Sequence, residues 1–364
     1  MLIVFTVSLV ALFLTFLESR KMLKNGMVIG FAMVTFLGCI HYDYGNDYMA
    51  YYDIYKSITS IKFNFIDVLS GDVYKEPGWA LLCYAFKPFG GFFMMVAFLN
   101  IIQNLLVYKV IKKNVEQQWW PFAAFIYLFS TSYYLLNFSM MRQGLVICLF
   151  FGIWNLIKEK KYIKSLLVLL LCTTIHKSSI VLLPFTFVGF LNINKGRIAV
   201  ALYVVLYLLI WFAGDFMNDV MSLFMVFEEF EDYALTYGND KSNNTYRLGF
   251  VLNLIPLVLS LIYITNTSKG YKSTDKIAVA LSIISFIIAP FSEIIPIVGR
   301  IGMYFGVYQI IAAPKIYSNV ENNIIRWGLL FIFCFMTMHG YMGFFNSPIY
   351  REAYTTFHTI FSVI

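Results

Sequence analysis

Four stretches of this chain place cations beside groups that can bind anions or move protons. Asn137-Phe-Ser-Met-Met-Arg-Gln-Gly144 carries Arg142 and Gln143, and Thr173-Thr-Ile-His-Lys-Ser-Ser179 carries His176 and Lys177. Arg247 closes a polar run, and Arg300 stands between Gly299 and Gly302. Each opens an apolar segment. A helix start is already electropositive, so a cation stacked on it is disfavoured unless an anion joins them. The arrangement suits a strong anion such as a diphosphate. Arg142 is the leading candidate, because guanidinium offers a planar fork of donors that matches phosphate oxygens and lysine does not. The competing reading for each cation alone is an interfacial anchor. His176, flanked by hydroxyl side chains, is a candidate base, since neutral imidazole accepts a proton near neutral pH.

Carboxylates and aromatic rings supply a second set. Asp43, Asp47 and Asp53 alternate with tyrosines along 42–55. Tyr48, Tyr51 and their neighbours offer ring faces with hydroxyl handles suited to sugars, or alternatively an interfacial aromatic belt. Glu76 precedes Pro77-Gly78-Trp79, a sound helix start that could also hold an acceptor hydroxyl or pair with an arginine. Asp47 and Glu76 therefore join His176 as candidate proton acceptors, and Asp43 and Trp79 join Tyr48 and Tyr51 as candidate sugar contacts. Metal-ligand spacings, phosphate-binding loops and dinucleotide fingerprints are missing from the sequence, so neither a metal nor a cofactor is expected.

The elements that must position these groups are membrane helices. Of the 364 residues, 60% are hydrophobic and 13% charged. Such a composition, with apolar runs along the whole length, defines an all-α polytopic membrane protein. Twelve spans are expected, at about 2–17, 27–41, 78–108, 119–135, 142–157, 164–175, 178–191, 198–213, 248–264, 277–291, 300–314 and 325–341. The third is broken by Lys87-Pro88 and Gly90-Gly91. Arg20, Lys21 and Lys24 follow the first run, which reads as an uncleaved span with its N-terminus outside.

Splitting 164–191 into two spans keeps Lys195, Arg197, Lys269, Lys272, Lys276, Lys315 and Arg326 inside with them and with Lys109, Lys112, Lys113, Lys158 and Lys161, whereas merging would put those seven outside. Both termini then face outward, as do loops at 42–77 and 214–246 and an amphipathic tail at 349–361. The whole chain is expected to be one transmembrane domain. The five cysteines lie in or beside apolar segments without Cys-x-x-Cys spacing, which argues against disulfides and structural zinc. The net charge of +7 is sorted by membrane side and does not indicate nucleic acid.

The Asp-Tyr repeats, Glu76-Pro-Gly-Trp79, Met141-Arg-Gln-Gly144 and Ile175-His-Lys-Ser-Ser179, in this order, resemble the EpsG family of bacterial polysaccharide proteins, which is similar to Wzy-type polymerases. The resemblance is best over about 40–190, with Arg300 and the helix around Tyr304 matching beyond it. It implies a GT-C-like glycosyltransferase in the bacterial cytoplasmic membrane with its site facing the periplasm or exterior. The reaction implied is polymerisation of O-antigen, capsule or exopolysaccharide repeat units carried on undecaprenyl diphosphate. Donor and acceptor glycans so linked, membrane lipids, a chain-length regulator and a flippase are the implied partners. Arg142, Arg300, Arg247, Lys177 and Gln143 would bind the diphosphate. A flippase for lipid-linked oligosaccharides and a ligase or other glycan-modifying transferase are the alternatives.

Overall fold

The computed structural model describes residues 1–190, 205, 245–265, 273–292 and 296–362. They group into two compact units, Met1–Gly189 with Val320–Ile364, and Phe190–Asn319.

The first unit opens with a helical hairpin, α1 (Leu2–Ser19) and α2 (Gly26–Ile40). Small residues let their backbones approach: a Cβ on Gly30 would lie 2.7 Å from the Ala11 carbonyl oxygen and 2.9 Å from its Cα. Close backbone contact of this kind drives helix pairing where lipid removes the hydrophobic incentive. The hairpin turn is fastened by Glu18, which accepts from the Met27 N–H at 2.7 Å and from Lys112 Nζ at 2.7 Å.

Segment 42–77, expected as an outer loop, is more ordered than a loop. It holds α3 (Tyr48–Ser60) and α4 (Phe65–Ser70). Tyr48, Tyr51, Tyr55 and Ile58 recur at helical spacing and form the buried stripe of α3. The expected third span divides as its Pro and Gly residues dictate, into α5 (Pro77–Phe86) and α6 (Gly91–Asn114), with Gly90 and Gly91 both at positive φ.

The fourth span ends earlier than expected. α7 (Trp120–Phe129) stops at Ser130, and the chain turns into a four-residue helix, α8 (Leu136–Ser139). α9 (Met141–Gly152) and α10 (Trp154–Lys158) lie over the expected fifth span, and α11 (Tyr162–Ile175) over the expected sixth. The seventh is a 3-10 run over Lys177–Phe190 that contains Pro184. The eighth expected span and nearly all of loop 214–246 lie outside the described residues.

In the second unit, α12 (Thr245–Thr265), α13 (Ser273–Ser292), α14 (Pro296–Gly306) and α15 (Gln309–Ser318) cover the next three expected spans. The eleventh is broken at Val307-Tyr308 rather than continuous. Lys315 Nζ meets Asp275 Oδ1 at 2.6 Å, tying α15 to α13.

The first unit resumes with α16 (Asn323–Asn346) and α17 (Pro348–Thr355). The tail then pairs with the outer segment, as β1 (His41–Tyr42) lies antiparallel to β2 (His358–Thr359). Among the described residues four helical stretches are long and apolar enough to cross a membrane, with shorter apolar helices beside them. This is an all-α membrane protein.

Gly30→Val should separate α1 from α2 and cost about 1–3 kcal/mol, the usual price of overpacking. Gly328→Val is the control, because nothing lies within 4 Å of its added Cβ. Thermal unfolding of the detergent-solubilised proteins should therefore show a lowered midpoint only for the former.

Candidate active site

Three chain segments from distant parts of the sequence meet at Glu76. Pro77 starts α5 at the position where a missing N–H does no harm, leaving Glu76 just outside the helix in extended conformation. Gly78 then allows α5 to press against α11, since a Cβ there would sit 2.9 Å from the carbonyl carbon of Thr174. That approach brings Glu76 to the C-terminal end of α11, where His176 leaves the helix in extended conformation. α9 supplies Arg142 from its first turn.

The Glu76 side chain is 3% exposed and both oxygens are engaged. Oε1 lies 3.1 Å from His176 Nδ1 and accepts the Lys177 backbone N–H at 3.0 Å. Oε2 forms an ion pair with Arg142 Nη1. The same Nη1 donates to the Tyr74 hydroxyl at 2.6 Å, and Arg142 Nε donates to the Tyr51 hydroxyl at 3.3 Å. The guanidinium also lies over both phenol rings, 5.3 Å from the centroid of Tyr51 and 5.6 Å from that of Tyr74. Nη1 and Nε are thus committed inside the protein, and Nη2 has no hydrogen-bond partner among the described residues.

Burial by itself would raise the Glu76 carboxyl. The His176 hydrogen bond, the Arg142 charge and the Lys177 N–H outweigh it and hold the group below the ordinary carboxylate value. Tyr51 and Tyr74 move the other way, because burial raises both phenols against the opposing pull of Arg142. An ionised Glu76 can only accept hydrogen bonds, so His176 presents Nδ1–H to it. In the neutral ring this leaves the lone pair on Nε2, which is buried and has no hydrogen-bond partner among the described residues.

Arg142, Glu76 and His176 therefore converge, while the other candidates fare unequally. Lys177 contributes its backbone N–H, and its side chain is exposed. Gln143 is buried one position behind Arg142. Asp47 is half-buried and enters through its N–H, which donates to Ser139 Oγ at 3.2 Å. Asp43 is exposed in left-handed conformation at φ 46°.

Of the expected sugar contacts, Tyr48 and Trp79 are fully buried. Tyr48 packs edge-on against His41 and Phe92, and Trp79 packs against Tyr51, because these rings fill the seam between α3 and its neighbours. Arg300 is half-buried in α14 of the second unit. Arg247 lies in α12, and its side chain falls outside the described residues. Tyr74 escaped the sequence reading. Its one signal was its place two residues before Glu76.

A polytopic helical protein with an arginine, a carboxylate and an imidazole caged by phenols has the equipment for proton transfer next to an anion. Residues 24–354 match the model of the EpsG family, and the chain belongs to that family. It is a family of polysaccharide-polymerase-like membrane proteins of the Wzy type. No curated protein and no solved structure matches the chain.

The depressed Glu76 value fixes a pH dependence. Its folded value lies below the ordinary 4.5, so its stabilising contribution is complete above that pH and is lost as pH falls through the folded value. Thermal unfolding of wild type and Glu76→Gln, followed from neutral pH to about 3, should show a gap that narrows on acidification. At neutral pH that gap should reach roughly 3–5 kcal/mol, the scale for breaking a buried ion pair on one side. A constant gap would disprove the linkage.

Proposed function

We propose that the chain is a glycosyltransferase that polymerises oligosaccharide repeat units carried on undecaprenyl diphosphate, working at the periplasmic or outer face of a bacterial cytoplasmic membrane. The observation that carries this reading is the Glu76 carboxylate shared between Arg142 and His176. It gives one site both a base and a cation.

In the reaction, a hydroxyl of an incoming lipid-linked unit attacks the anomeric carbon of the donor chain. His176 Nε2 takes the hydroxyl proton, and Glu76 stabilises the imidazolium that results. The bond from the anomeric carbon to the diphosphate oxygen breaks, and the diphosphate leaves with the electron pair. Arg142, through Nη2 and its full charge, stabilises the negative charge that develops there. Arg300, Arg247, Lys177 and Gln143 remain proposed diphosphate contacts, Tyr51 and Asp43 proposed sugar contacts, and Asp47 a proposed alternative proton acceptor. A chain-length regulator and a flippase are the proposed protein partners.

The outer-face assignment draws support from the ion pairs. Lys112–Glu18, Lys113–Glu159, Lys161–Glu159 and Lys315–Asp275 each join residues that the positive-inside argument assigns to the inner side. Arg142–Glu76–His176 joins residues assigned to the outer side.

Purified protein in lipid nanodiscs, given one undecaprenyl-diphosphate-linked repeat unit, should elongate it unaided. A ligase would need a different acceptor, and a flippase would yield no product. His176→Gln should slow elongation by about 100-fold to 10,000-fold, the range for a removed general base. Arg142→Lys should also fall well below wild type, because the ammonium cannot span Tyr51, Tyr74 and Glu76 while presenting a further donor. In cells, Arg142→Ala should leave only lipid capped by a single unit, at normal protein levels. A normal ladder of chain lengths from that variant would remove Arg142 from the mechanism.

A further inference from the structure

The corner that delivers Arg142 is held by neutral polar side chains deep in the apolar bundle. Asn137 of α8 is 2% exposed, and its Nδ2 donates to the Tyr127 hydroxyl at 3.1 Å. Tyr127, on α7, donates to Asn104 Oδ1 on α6 at 2.8 Å, and Asn104 Nδ2 donates to the Asn100 carbonyl at 2.9 Å. One step along α6, the buried Gln103 amide donates to the Leu99 carbonyl at 3.1 Å and accepts the Leu145 N–H of α9 at 2.9 Å. Asn137 and Gln103 meet at one spot on α9: a Cβ on Gly144 would lie 3.0 Å from Asn137 Oδ1 and 3.2 Å from the Gln103 amide oxygen that accepts the Leu145 N–H.

Uncompensated polar groups are costly in an apolar interior, so these bonds favour one packing over its neighbours, although Asn137 Oδ1 and Asn100 Oδ1 have no hydrogen-bond partner among the described residues. The stakes here are rotational. A shift of α9 by one residue turns it by about 100°, since 3.6 residues make a turn, and would swing Arg142 away from Glu76. At its other end α8 reaches the outer segment, where Ser139 Oγ accepts the Asp47 N–H at the start of α3, the helix that bears Tyr51.

We propose that Asn137, Tyr127 and Gln103 are positioning residues that set the register of α9 and so aim Arg142 at Glu76 and the two tyrosines. Their importance for activity rests on the glycosyltransferase reading above; their effect on Arg142 does not. The full chain in nanodiscs, carrying glutamate labelled with carbon-13 at the carboxyl, reports that effect directly. The Glu76 resonance is assigned by its loss in Glu76→Gln, and its titration midpoint is followed with falling pH.

Removing the Arg142 charge in Arg142→Gln should raise that midpoint. Asn137→Leu and Tyr127→Phe should raise it in the same direction. Loss of general stability would lower the melting temperature without moving the midpoint. Tyr127→Phe keeps the ring and its packing, so it decides the matter if Asn137→Leu does not fold. A wild-type midpoint in folded Tyr127→Phe, or in both variants, overturns the proposal. Elongation of the lipid-linked repeat, measured in the same preparations, separates the two ideas. A wild-type protein that elongates nothing sinks the glycosyltransferase reading and leaves the midpoint result standing.

Discussion

A carboxylate that is 3% exposed must be neutralised where it stands, and Glu76 meets that demand with groups from two other segments. Its Oε2 pairs with Arg142, and its Oε1 takes the Lys177 N–H and faces His176. Remove it, and a guanidinium is left buried among phenols with no counter-charge, while the imidazole loses the group that selects its tautomer. The convergence of α5, α9 and α11 is therefore the packing solution for one charge. In the proposed reaction it also sorts two rival proton acceptors, since a carboxylate already engaged by donors orients the histidine, whose Nε2 has no hydrogen-bond partner among the described residues.

Around that charge segment 42–77 is stiffened by aromatic packing and by contacts with residues 349–357. Tyr44 sits edge-on to Phe138, Tyr354 and Phe357. The Gly45 N–H donates to the Ala353 carbonyl at 3.1 Å, and Asn46 Nδ2 donates to the Ile349 carbonyl at 2.9 Å. The terminal ammonium of Met1 donates to the Tyr354 carbonyl at 2.7 Å. These contacts pair backbone groups that an irregular segment beside a membrane would otherwise leave bare. They hold α3, and with it Tyr51, against the bundle.

Much of the helical plan was legible in the chain. Apolar runs marked α1, α2, α6, α11 and α16, and the Lys87-Pro88 and Gly90-Gly91 pairs marked the break between α5 and α6. Arg142, His176 and Glu76 stood out because charge beside an apolar run is costly and needs a reason. The helix over 48–60 was there to be read in the spacing of Tyr48, Tyr51, Tyr55 and Ile58, but the alternating Asp and Tyr drew attention to sugars instead. The early end of α7 and the corner through α8 carried no such signal. Residues 130–140 hold neither Pro nor Gly, and the turn is set by Asn137 and Tyr134 bonding across to other helices.

By itself, then, the sequence determined a membrane protein, the approximate places of its helices, and which side chains were too polar for their surroundings. Those properties are local, since transfer free energy and backbone propensity act residue by residue. Only the tertiary structure decided that Glu76 lies between Arg142 and His176, that Tyr74 completes the cage, and that Tyr48 and Trp79 face inward. Glu76 and His176 are a hundred residues apart in the chain. No local preference encodes such a meeting; it follows from how closely α5 and α11 can pack, which a single missing side chain at Gly78 permits.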